Sequence, residues 1–173
     1  MGPQSNYLNF VTADYYQRKS QVAVSSQPFS GCGYISQVHL RGRCIGDPGS
    51  IGYGLQLQVL QPVGIFADYT VLEEGIAHVS NCTQNPLTID VSSLNLNFSE
   101  GNVLGAYVPG EEEEQAVIEM GYYNEVLASG QQYYLKTEDG LPVKNTFINF
   151  HSFFDRHRER LQISVEGKVK TCI

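Results

Sequence analysis

The chain is 173 residues long, enough for one domain with a sizeable core. Hydrophobic residues make up 42% and charged residues only 17%, below the roughly 25% usual in soluble domains, and 17 Gly with 11 Tyr favour strands and turns over long solvated helices. The formal net charge of −7 argues against broad affinity for nucleic acid or anionic membrane, and no apolar stretch reaches the ~18 residues that span a bilayer.

The first twenty or so residues, with Tyr7, Phe10, Tyr15 and Tyr16, read as a strap or an edge strand. Met1-Gly2-Pro3-Gln4 lacks the basic-then-apolar pattern of a signal peptide, so a secretory leader is expected outside these residues. From Val22 onward a period of two dominates. Val22–Ser25 is a strand candidate, followed by Tyr34, Ser36, Val38 and Leu40 on one face, opposed by Ile35, Gln37, His39 and Arg41. Leu55, Leu57 and Val59 alternate with Gln56 and Gln58. Leu87, Ile89 and Val91 share a face, as do Leu94, Leu96 and Phe98, with Asn95 and Asn97 opposite. Further strands are predicted over Ala67–Leu72, Val103–Val108, Ala116–Met120, Gln132–Lys136 and Thr146–Phe150. Near the end, Leu161, Ile163 and Val165 alternate with Gln162, Ser164 and Glu166. Only Glu111–Met120 and Phe153–Leu161 have any helical character, and neither carries an apolar stripe.

Turn chemistry separates the runs: Gly46-Asp47-Pro48-Gly49, Gln61-Pro62-Val63-Gly64, Pro109-Gly110, Ser129-Gly130 and Glu138-Asp139-Gly140. Gly101-Asn102 reads as a hairpin-like turn in which both residues tolerate positive φ, and Gly105 as a bulge or a close approach. Many short strands without crossover helices predict a single all-β domain over residues 1–173, an antiparallel β-sandwich of jelly-roll-like form.

The cysteines Cys32, Cys44, Cys82 and Cys172 have no metal or redox spacing, and their even number fits two disulfides. Three pairings are open. First and last strands side by side in a closed sandwich favour Cys32–Cys172 and Cys44–Cys82. With two N-glycosylation sequons, Asn81-Cys82-Thr83 and Asn97-Phe98-Ser99, they point to an oxidising, extracellular setting. Asn97 is expected to be exposed, opposite Leu96 and Phe98.

Three stretches in order resemble extracellular domains of invertebrate animals: Phe29-Ser30-Gly31-Cys32-Gly33-Tyr34-Ile35, Leu57-Gln58-Val59-Leu60-Gln61-Pro62-Val63-Gly64, and Phe98-Ser99-Glu100-Gly101-Asn102-Val103-Leu104-Gly105-Ala106-Tyr107-Val108-Pro109. Those domains open a strand with a Phe-x-Cys-x-Gly-x-Ile-like run, end a central strand in an Arg-Pro turn, and carry Gly-Asp-Val-Leu-Gly before a Tyr-x-Pro ending. The resemblance covers residues 29 to 109 and implies a secreted or surface-anchored β-sandwich module without catalytic residues. Two positions depart from it: Gln61 stands in place of Arg, and Asn102 in place of Asp.

No catalytic motif is present: there is no Gly-x-Ser-x-Gly elbow, His-Glu-x-x-His or phosphate loop. Arg156, His157, Arg158 and Arg160 are interrupted by Glu159 and read as a solvated turn rather than a phosphate patch. His151, Asp155 and His157 do not complete a metal set, and Glu111 to Glu114 read as a solvated acidic loop. Glu73-Glu74 and Asp139 stand as lone acids. No cofactor is implied. The remaining signal is paired tyrosines, Tyr122-Tyr123, Tyr133-Tyr134 and Tyr15-Tyr16, whose amphipathic rings suit protein interfaces and sugar stacking. The expectation is a non-catalytic extracellular recognition or adhesion module for a protein or glycan partner, with homo-oligomers possible. The alternatives are a carbohydrate-active or lectin-type domain with a sugar groove and a self-assembling matrix protein.

Overall fold

The structure, a computed structural model, describes residues 14–16, 21–24, 28–64, 68–84, 86–108, 116–124, 133–136, 143–149, 159–161 and 163–173. Fourteen strands run through them: β1 (Asp14–Tyr16), β2 (Gln21–Val24), β3 (Cys32–Leu40), β4 (Gly42–Ile45), β5 (Tyr53–Val63), β6 (Asp68–Val79), β7 (Leu87–Asp90), β8 (Asn97–Phe98), β9 (Val103–Tyr107), β10 (Val117–Asn124), β11 (Tyr133–Lys136), β12 (Phe147–Asn149), β13 (Glu159–Leu161) and β14 (Ile163–Lys170). The strand pairings are antiparallel. Among the described residues the sole helical element is a 3-10 turn at Ser92–Leu94. The all-β reading is therefore correct, and the helical character expected of the two short segments is not found where they are described. Residues 117–120 of the first lie in β10, and 159–161 of the second form β13. Their apolar residues find cross-strand neighbours, and that overrides a weak helical propensity.

The strands form one six-stranded sheet, β11-β2-β9-β5-β6-β12, and two four-stranded ones. In one of the latter β3 lies between β14 and β7, with β8 also on β3. In the other β10 is flanked by β1, β4 and β13. These two smaller sheets are continuous, because β3 runs into β4 across Arg41, whose carbonyl accepts the Gly121 N–H at 2.8 Å. One buried cluster draws on all three sheets: Leu55, Leu57 and Ala77 from the large one, Val38, Leu40 and Val165 from the second, Ile118 and Met120 from the third. That shared core makes the molecule a sandwich. Residues 14–16 are an edge strand on β10, one of the two forms expected for the N-terminal segment.

Two bulges break the simple period of two. In β3, Gln37 pairs with Glu166 and Ile35 with Gly167, so Ser36 is the extra residue. Its hydroxyl donates to the Glu166 carbonyl at 3.0 Å and its own carbonyl accepts the Val91 N–H at 2.9 Å. The face therefore changes at Ser36: Ile35, Val38 and Leu40 all point into the core, which corrects the expectation that Tyr34 and Ser36 share a face with Val38. In β6, Val59 pairs with Glu73 and Leu60 with Val71, leaving Leu72 as the extra residue. Tyr69 and Val71 consequently join a second cluster with Val22, Val24, Leu60, Val103 and Tyr107, while Ala77 and Val79 face the main core. The large sheet is thus buried on both faces at that end. Gln56 and Gln58, 1% and 0% exposed, lie on the second face instead of in water. Their amides form a row in which Gln58 Nε2 donates to Gln56 Oε1 at 2.6 Å and Gln56 Nε2 to Glu74 Oε2 at 2.7 Å, while the buried Gln58 Oε1 accepts no hydrogen bond.

The predicted turn at Gly46-Asp47-Pro48-Gly49 is present, with Asp47 Oδ1 accepting the Gly49 N–H at 2.9 Å. At Gln61-Pro62-Val63-Gly64 the strand instead continues to Val63, and the chain turns at Gly64. Beyond Leu60, β5 pairs among the described residues with β6 alone, and a proline is tolerated on such an edge. Gly101-Asn102 is not a hairpin. It carries the chain from β8, on β3, to β9, in the large sheet. Only Gly101 has a positive φ there, while Asn102 is 1% exposed and serves as a structural hub.

Candidate functional site

The three stretches that carry the family resemblance meet at one point. Phe29 and Phe98 stack with ring centroids 4.5 Å apart. The Phe29 N–H donates to the Asn102 carbonyl at 2.7 Å, and the Gly101 N–H to the Phe29 carbonyl at 3.0 Å. Asn102 Oδ1 accepts the Ser99 N–H at 2.7 Å, and its Nδ2 donates to Gln61 Oε1 at 2.9 Å. Gln61 and Asn102, the two departures from the pattern, are therefore the two ends of one contact between neutral amides. Gly105 is a close approach and not a bulge: an added Cβ would lie 2.4 Å from Gln58 Oε1 and 2.8 Å from Leu60 Cδ1. These motif residues close one end of the sandwich.

A cleft of about 440 Å³ opens where the chain leaves β6, in the large sheet, and crosses to β7, beside β3. That volume is within the ~300–1,000 Å³ of small-ligand sites. His78 enters from β6, Ser80, Asn81, Thr83 and Gln84 from the loop, and Thr88 and Asp90 from β7. All seven are exposed, whereas Val79, Leu87 and Ile89 behind them belong to the core. The period of two puts Thr88 and Asp90 outward because Leu87, Ile89 and Val91 are drawn inward. The loop is held from inside by Cys82, which is bonded to Cys44 on β4 with Cα atoms 5.5 Å apart. Asn81 Oδ1 accepts from the Thr83 N–H at 3.2 Å and the Thr83 hydroxyl at 2.8 Å. On the other wall Asp90 Oδ1 accepts from the Ser92 hydroxyl at 2.6 Å and the Ser92 N–H at 3.0 Å. Those two bonds, the hydroxyl first, hold the Asp90 carboxyl below the usual carboxylate range.

Thr88 also belongs to a cross-strand row on the outer face of the β7–β3–β14 sheet. Its Oγ1 lies 3.0 Å from His39 Nδ1, and His39 Nε2 lies 3.3 Å from Glu166 Oε1. Hydroxyl, imidazole and carboxylate follow one another as in a nucleophile–base pair with its orienting acid. Glu166 is 60% exposed, however, and water screens a carboxylate so placed. Neither this row nor the cleft is legible from local pattern, because His39 and Thr88 are 49 residues apart. The signals that were legible are the two local turns, Asn81-x-Thr83 and Asp90-x-Ser92, each with an acceptor side chain two residues before a hydroxyl.

The second disulfide, Cys32–Cys172, ties the start of β3 to the chain beyond β14 with Cα atoms 5.3 Å apart, and no free cysteine remains. β3 and β14 lie side by side, so the expected pairing holds although β3 is the third strand and the first, β1, pairs with β10. Asn81 and Asn97 are both exposed. Asn97 Nδ2 donates to the Asn95 carbonyl at 3.1 Å, and its Oδ1 accepts from Lys170 at 3.0 Å. Glu73 and Glu74 are not lone acids, since Glu73 pairs with Lys144 at 3.1 Å and Glu74 accepts from Gln56. Tyr122 and Tyr123 lie in β10, next to the Tyr15–Tyr16 stretch of β1, whereas Tyr133 and Tyr134 lie in β11 at the edge of the large sheet. The two pairs are thus in different sheets. His151, Asp155, His157, Asp139, Arg156, Arg158 and Glu111 to Glu114 lie outside the described residues. Among the described residues no group of three metal-ligating side chains gathers, and no helix is long and apolar enough to cross a membrane. No protein-family model, curated protein or solved structure matches this chain.

Proposed function

We propose that this domain is a non-catalytic extracellular recognition module, and that the cleft between β6 and β7 takes a neutral glycan. The supporting observation is the cleft's lining: hydroxyl, amide and imidazole groups held on two sheets and on a loop anchored by a disulfide. Such groups can exchange hydrogen bonds with sugar hydroxyls, and anchoring lowers the ordering cost of binding. Two disulfides and two exposed sequons support an extracellular setting and a glycoprotein. The tyrosine-bearing strands β10 and β11 are a second surface for a protein partner, in keeping with a role in adhesion. Weak single-site binding would then be strengthened by display in several copies.

Two features weigh against the alternatives. The His39 row ends on a solvated glutamate, so catalysis lacks a well-held orienting acid. The long edge strand β14 presents exposed Lys168 and Lys170, and lysines on an edge discourage strand-to-strand self-assembly. The test is a glycan array probed with the domain, free of its own N-linked glycans, as monomer and as multimer. Binding that is lost in Gln84→Ala is the expected result. If neither form binds while the monomer hydrolyses a glycan, the carbohydrate-active alternative replaces this reading.

A further inference from the structure

We propose that Asn81 carries an N-linked glycan whose first sugar, an N-acetylated hexosamine, is seated in the adjoining cleft. The inference rests on the reading of the cleft as a neutral sugar site in a secreted domain. Asn81 is exposed and is itself part of the cleft's lining. Its two oxygen contacts, to the N–H and hydroxyl of Thr83, fix the side-chain carbonyl and with it the plane of the amide. Nδ2 has one long contact, 3.5 Å to Ser80 Oγ, so attachment there disrupts no short hydrogen bond. The attachment forms a bond from Nδ2 to the anomeric carbon of a diphosphate-linked oligosaccharide donor. The anomeric C–O bond to the donor breaks, the diphosphate leaves, and the amide nitrogen gives up one proton.

The chemistry beside the attachment point fits that first sugar. Thr83, Gln84, Thr88 and His78 offer donors and acceptors, and no Lys or Arg lines the cleft among the described residues. The lone carboxylate, Asp90, is already engaged by Ser92. An anionic ligand would therefore find no counter-charge, whereas a neutral acetamido sugar meets partners of both polarities. Tethering favours seating, because a sugar bonded to Nδ2 meets the cleft in an intramolecular step. Asn97, the other sequon asparagine, is not in the cleft's lining.

The test uses the chain secreted from a glycosylating host, as wild type, Asn81→Gln, and His78→Ala/Gln84→Ala. Intact mass reports sequon occupancy, and amide hydrogen exchange reports protection over residues 78–90. The expected result is that Asn81 is occupied and that the loop exchanges roughly fivefold more slowly in wild type than in Asn81→Gln. The double variant should keep the glycan and lose that protection. An empty Asn81, equal exchange with and without the glycan, or protection that survives in the double variant each overturns the proposal. Titration of the Asn81→Gln protein with free N,N′-diacetylchitobiose, followed by NMR, separates the two readings. Shifts over residues 78–90 support both. Their absence, with the protection of wild type intact, leaves the seated glycan standing and removes the cleft as a site for free glycans.

Discussion

Asn102 shows how much one side chain can organise when it is buried with all its bonds made. It receives the Ser99 N–H, donates to Gln61, and its carbonyl receives Phe29. Asn102→Ala leaves the Ser99 N–H without its acceptor, and a loss of about 1–3 kcal/mol in denaturant unfolding is expected. The exchange Gln61→Arg with Asn102→Asp replaces the amide pair by opposite charges. Each single change places a charge against an amide, so the double variant should be more stable than the sum of the singles by about 0.5–3 kcal/mol. Strict additivity in that cycle would show that the two side chains do not communicate. Gly105 is read from its surroundings: Gly105→Ala must push aside Gln58 and Leu60, an overpacking cost of about 1–3 kcal/mol. Asn97→Gln, on an exposed face, is expected to stay within about 0.5 kcal/mol of wild type.

At the scale of elements, β7 and the short turn after it depend on Asp90. Its folded carboxyl titrates below the ordinary value because the Ser92 hydroxyl and N–H stabilise the ionised form. A carboxyl lowered in this way contributes stability above its unfolded value near pH 4, and that contribution is lost as the pH falls through the folded value. Melting temperatures of wild type and Asp90→Asn should therefore differ at neutral pH and converge on acidification. A gap that widens in acid would contradict the role given to Ser92. β3 shows where reading by element fails. Its bulge at Ser36 depends on the partner β14, where Glu166 and Gly167 straddle the extra residue. Nothing within Tyr34–Leu40 announces it, because a bulge is a property of a strand pair.

Across the whole molecule, the two disulfides restrain very different lengths of chain, with sequence separations of 140 and 38. Replacing either pair by serine is expected to cost about 2–5 kcal/mol. On loop-closure grounds the Cys32–Cys172 pair should cost about 1 kcal/mol more than Cys44–Cys82. The Cys44–Cys82 bond has a second task, holding the loop that forms the cleft, so its removal should speed hydrogen exchange over residues 80–86 ahead of the rest. Alkylation without reductant should add no mass. Four labelled thiols would contradict both bonds.

The all-β class, the position of most strands and the even cysteine count are legible in the residues alone. These follow from a period of two and from turn residues, which act over a few positions. Leu55, Leu57, Val59 and Leu87, Ile89, Val91 face inward as their spacing requires. Which strands share a sheet, where the Ser36 and Leu72 bulges reverse a face, and that Gln56 and Gln58 are buried emerge from the folded chain. An alternating strand looks the same whether its polar face meets water or a second cluster. The cleft likewise needs β6 and β7 to lie in different layers, and that is set by contacts between residues far apart in the chain.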